Sequence, residues 1–101
     1  MKERIYGYVF AIIVEKGETG WIAYAPGVGG VYEEGRTREE AKANAYRAAC
    51  AILDVRWERN DLITTENQYL HILRALPDQD YISKIGIKEG YIATLPCAAT
   101  A

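Results

Sequence analysis

The sequence predicts an α+β domain: an antiparallel three-stranded sheet, one long helix and a returning fourth strand, in the order β-β-β-α-β, with a C-terminal extension. Three observations predict it. Ile5 to Val14 is dense in β-branched and aromatic residues, which suit a pleated, packed strand. Glycine-rich turns then set off two more short apolar stretches before residue 36. Finally, Thr37 opens a run of alanines at helical spacing.

The first strand is apolar on both faces, with Tyr6, Tyr8, Phe10 and Ile12 on one and Ile5, Val9 and Ile13 on the other. Such a strand belongs in the middle of a sheet or of a packed dimer. Glu15-Lys16-Gly17-Glu18-Thr19-Gly20 is a polar turn that closes a hairpin onto Trp21–Ala25. Pro26-Gly27-Val28-Gly29-Gly30 interrupts the pairing, because proline lacks a ladder donor and glycine permits left-handed backbone. Val31 to Glu34 resumes a strand, and Gly35 ends it.

Thr37-Arg38-Glu39-Glu40 is a capping box. The threonine oxygen is placed to accept the Glu40 amide, and the Glu40 carboxylate to reach back to Thr37. Both glutamates sit where the helix dipole favours negative charge. Ala41, Ala45, Ala48, Ala49, Ile52 and Leu53 then mark one face. A helix from Thr37 to about Glu58 spans roughly 33 Å, and a strand over Ile5–Val14 spans roughly the same. The helix is therefore expected to lie along the sheet, with its alanines allowing close approach.

The second half is more ambiguous. Tyr69, Ile72, Leu73 and Leu76 fit a helical stripe with Thr65–Gln68 as its cap, yet Tyr69 to Ala75 also reads as a short buried strand. The strand is preferred, because the sheet is otherwise thin and residues 60–68 suit a return connection. Residues 1–76 then form the domain and 77–101 the extension. Within the extension, Tyr81–Ile87 and Tyr91–Leu95 form a hairpin or a degenerate helical segment, and Pro96–Ala101 is expected to fray.

With 101 residues, half of them apolar and 26% charged, the chain is one domain with a buried core. Its net charge of −2 gives no basic stripe for gripping a duplex. Its two cysteines are too few for a disulfide scaffold, so a reducing cytoplasm is expected. The longest apolar run, Tyr8 to Val14, is far short of the ~20 residues of a membrane helix.

Tyr24, Pro26, Gly30, Gly35, Thr37, Glu39, Glu40 and Ala41 together resemble the signature of the HicB-like antitoxin family, in register and without a gap. Gly29 stands where the family has a second proline, Val31 where it has cysteine, and Arg36 where it has aspartate. The likeness covers about residues 4–58. It implies a partial RNase H-like fold and an antitoxin that masks a small basic RNA-cleaving toxin of the HicA type. Stand-alone members without a toxin are also known in the family. Full-length members often add a DNA-binding segment, and Leu73–Pro77 with Tyr81, Ile82 and Ile85 faintly resembles a ribbon-helix-helix start. Gly86 interrupts the helix such a segment needs, and only Arg74, Lys84 and Lys88 are basic there, so operator binding is not expected.

An RNase H-like fold raises the question of two-metal cleavage, which needs acidic side chains converging on hard cations. Ile5–Val14 holds no carboxylate, and the neighbours Glu33 and Glu34 point to opposite faces of a strand. No catalysis, metal or cofactor is expected. His71 with Cys50 or Cys97 leaves a nucleophile pair open on residue type alone, although Cys50 falls beside the alanine face and reads as packed. Tyr6, Tyr8, Phe10, Trp21, Tyr24 and Tyr32 suggest base stacking on single-stranded RNA, but residues 1–35 hold three basic groups against five acidic. Aromatics beside acids better suit a basic protein partner. The expected partner surface is Trp21, Tyr24, Tyr32, Glu33 and Glu34. An orphan ligand- or RNA-binding domain is the alternative. A homodimer is also expected, because one helix leaves the second sheet face apolar.

Overall fold

Thr37 begins the helix as its chemistry requires. It is extended, and its Oγ1 accepts the Glu40 N–H at 3.1 Å. Helix α1 runs Arg38–Glu58 and ends in a left-handed residue, Asn60, at φ 56°. The Asn60 N–H donates to the Trp57 carbonyl and the Asp61 N–H to that of Arg56, the paired bonds of a Schellman ending. The structure, a computed structural model, describes residues 4–75, 87 and 90–97. Among these, no helix is long and apolar enough to cross a membrane.

The strands are β1 (Gly7–Ala11), β2 (Ile13–Lys16), β3 (Trp21–Tyr24), β4 (Tyr32–Gly35), β5 (Leu70–Leu73) and β6 (Gly90–Thr94). They form two three-stranded antiparallel sheets, ordered β5-β1-β6 and β2-β3-β4. The fold is α+β, but the single sheet with a fourth strand is replaced by two sheets. The cause lies at Ile12, where the expected continuous strand changes partners. Up to Ala11 it pairs with β5 and β6, and from Ile13 it pairs with β3. The ambiguous stretch after residue 68 is a strand, β5, as preferred.

One core joins the sheets to α1. Ala41, Ala45 and Ala49 are fully buried, and Leu53 nearly so. Small side chains let β4 approach closely: a Cβ on Gly35 would strike the Ala41 backbone, so a larger residue there would push the helix off the sheet. From β1, Tyr8, Phe10 and Ile12 enter this core beside Leu70, Ile72 and Ala93. Phe10 stacks on Tyr46 with ring centroids 6.1 Å apart. The Tyr8 hydroxyl donates to the Ile63 carbonyl at 3.1 Å and accepts the Ile63 N–H at 3.0 Å, fastening the return connection. Burial pushes the Tyr8 phenol up despite the carbonyl bond. At the edge strand β4, Asn44 Nδ2 donates to the Glu34 carbonyl at 2.9 Å.

The second face of β1 is not left open. Val9 is 2% exposed and Leu73, which shares its face through the Gly7↔Leu73 register, is 0% exposed. A Cβ on Gly90 would meet both Val9 and Ile87 side chains, so Ile87 approaches this face within one copy. The premise for a dimer across this part of the sheet is thereby removed.

At the C-terminus one expectation is corrected and another is met in part. Residues 91–94 form a strand, paired with β1 at Tyr8↔Ala93 and Phe10↔Tyr91. The other arm of the expected hairpin, 81–86, lies outside the described residues, as does most of the ribbon-helix-helix likeness. Cys97 is not frayed: it is 8% exposed and disulfide-bonded to Cys50, with Cα atoms 5.5 Å apart. Forty-seven positions separate the two, and the fold brings them together by laying β6 beside β1, under the helix.

Candidate partner-binding face

Strand alternation and register divide the expected partner residues. Tyr24 and Tyr32 are direct cross-strand partners, and Ile22 pairs with Glu34 on the same face. Ile13 pairs with Tyr24, and Glu15 with Ile22. Ile13, Glu15, Ile22, Tyr24, Tyr32 and Glu34 therefore share the outer face of β2-β3-β4. The inner face, toward α1, carries Ala23, which is fully buried, and its partner Glu33.

Tyr24, Tyr32 and Glu34 are thus brought together, whereas Trp21 and Glu33 are not part of this face. Trp21 is half-buried against the core, and Lys16 Nζ lies 5.5 Å from its ring centre. Glu33 is half-buried on the helix side. The outer face gains Ile13, Glu15 and Ile22, which sequence reasoning missed. A signal for them was present. Ala23 and Ala25 are small residues at alternating positions, the right shape to lie under an alanine-lined helix, and they fix which parity points inward.

Tyr32 is the most exposed large apolar residue on this face, at 61%. Tyr24 is half-buried, and its hydroxyl donates to Glu15 Oε1 at 2.9 Å. That bond, with the carboxylate's charge, pushes the Tyr24 phenol above its ordinary value. The face therefore has a rung of Ile13, Tyr24 and Tyr32 beside a rung of Glu15, Ile22 and Glu34, and none of these six residues is cationic. Such a surface can bury apolar area while attracting positive charge.

Beside it, Glu34 and Trp21 also line an open cleft of about 520 Å³ between the β2–β3 turn and the start of α1, with Glu18, Arg36 and Glu40. Its charges are mixed. Among the described residues, no three His, Cys, Asp or Glu side chains converge where they could hold a metal ion. The Cys50 sulfur is bonded to Cys97, so neither cysteine is a free thiol in this structure. His71 Nδ1 instead lies 3.7 Å from Glu66 Oε2.

Set against family models, characterised proteins and solved structures, the chain matches none.

Proposed function

We propose that this chain is a HicB-like, antitoxin-type binding protein of the cytoplasm that neutralises a small basic RNA-cleaving toxin by covering it. It acts by occlusion and performs no chemistry of its own. The two sheets and helix are read as a partial RNase H-like arrangement in which Ile12 bends one long strand. The single observation that carries the reading is the outer face of β2-β3-β4, where the Ile13–Tyr24–Tyr32 rung lies beside the Glu15–Ile22–Glu34 rung and none of these six residues is cationic. Tyrosines anchor interfaces, and complementary charge speeds encounter with a basic partner. With no partner bound, a second copy meeting the same face is the place for a homodimer.

Co-expression with the neighbouring open reading frame tests this. The expected result is that a small basic ribonuclease encoded there stops growth alone and is silenced by this chain. Tyr32→Ala and Glu34→Lys should each weaken capture by roughly 30-fold, the effect of losing an interface anchor of about 2 kcal/mol. If no such protein is bound or neutralised, the reading fails. Salt-sensitive binding of single-stranded RNA by the chain alone would replace it with an orphan RNA-binding domain.

A further inference from the structure

Three side chains on one stripe of α1 converge on the end of β6. Tyr46, Cys50 and Asp54 follow each other at i, i+4 and i+8. The Tyr46 hydroxyl donates to the Ile92 carbonyl at 2.9 Å and lies 3.9 Å from Cys97 Sγ. Cys50 is bonded to Cys97, and Asp54 Oδ1 accepts the Cys97 backbone N–H. Asp54 is the one charged residue in the core among those described, at 9% exposure. A carboxylate is retained at such a position only when it is well paired, and here its partner is the backbone of the bonded cysteine. Among the described residues β6 pairs with β1 alone, and that ladder and this stripe hold it in place.

We propose that Cys50–Cys97 is a redox latch that holds the strand β6 against β1 and α1. Opened by a dithiol reductant, it releases β6 and turns β1 into an edge over Gly7–Ala11. The exchange balances. One thiolate of the reductant attacks a sulfur of the pair, and the Cys50–Cys97 bond breaks as a mixed disulfide forms. The second thiol of the reductant then displaces the bound cysteine and closes its own disulfide. Two electrons and two protons pass to the pair, leaving two thiols. Both sulfurs belong to buried residues, at 6% and 8% exposure, so attack waits on local opening of the chain around Cys97. Tyr46 still offers its hydrogen bond to Ile92 on β6, and Asp54 to the Cys97 N–H beyond it, after reduction, which favours re-closure on the same register. The latch is independent of the partner-binding face.

The test uses the full chain, with dithiothreitol as the dithiol. Without reductant, an alkylating reagent should add to neither cysteine, and after reduction to both. Amide hydrogen exchange should then rise about tenfold or more over 90–97 and Gly7–Ala11, as a locally opened unit does, while 21–24 and 32–35 stay unchanged. Cys97→Ser should reproduce this pattern without reductant. If that variant does not fold, the reduced wild-type chain decides. Two free thiols before reduction, unchanged exchange over 90–97, or a uniform rise that includes β3 and β4 each overturns the latch.

Discussion

The two sheets share one stretch of chain, yet they treat it differently. In β5-β1-β6, residues 7–10 are all buried, because Tyr8 and Phe10 meet the core while Val9 is covered from the other side. In β2-β3-β4, the helix seals only the inner face, leaving Tyr32 exposed and Ile13, Ile22 and Tyr24 half-buried. A strand apolar on both sides does not announce an open surface. It becomes central when later chain arrives to cover it, and here that later chain is β5, β6 and Ile87. The open apolar surface lies on the outer face of β2-β3-β4, against which no later element among the described residues is paired.

The comparison breaks most sharply at Phe10. Replacing this fully buried ring, which stacks on Tyr46, with alanine should cost about 3–5 kcal/mol in urea unfolding. A loss near that of a surface change would mean that β5-β1-β6 is not the stabilising sheet. Tyr8→Phe should cost about 1–3 kcal/mol, since it strands the Ile63 N–H and carbonyl that the hydroxyl serves.

A smaller effect sharpens the same contrast through pH. Glu66 accepts from the Arg74 guanidinium and from the Ile72 N–H on β5. The Arg74 bond, aided by Ile72 and the nearby His71, holds the Glu66 carboxyl below its ordinary value of 4.5. Its contribution is thus complete above that value and is lost as pH falls through the lower folded value. The group is partly solvated, so the effect is modest. The urea midpoint should fall below pH 4.5, and Glu66→Gln should flatten that part of the curve. Smallest of all, Tyr32→Ala should change stability by no more than about 0.5 kcal/mol while weakening partner capture, a split that a purely structural tyrosine would not show.

The elements written locally were legible. The Thr37 cap, the alanine face and the glycine-bounded strands each depend on neighbours within a few residues, and they fall within a residue or two of where the sequence put them. What was not legible depends on distant chain. The break at Ile12 is set by β5 and β6, more than fifty positions away, and so is the pairing of Cys50 with Cys97. The partner face was half legible. Glu33 and Glu34, being adjacent, point opposite ways, so an expected site holding both could not lie on one face. Which of them looked outward was decided by Ala23 beneath the helix.

The amide that Asn44 lends to the carbonyl of Glu34 reaches beyond the helix–sheet contact it makes. Strand β4 is the rim of its sheet, and rims invite stray chains to add themselves rung by rung. With the Glu34 carbonyl already engaged by the helix, this rim offers an incoming backbone one acceptor fewer.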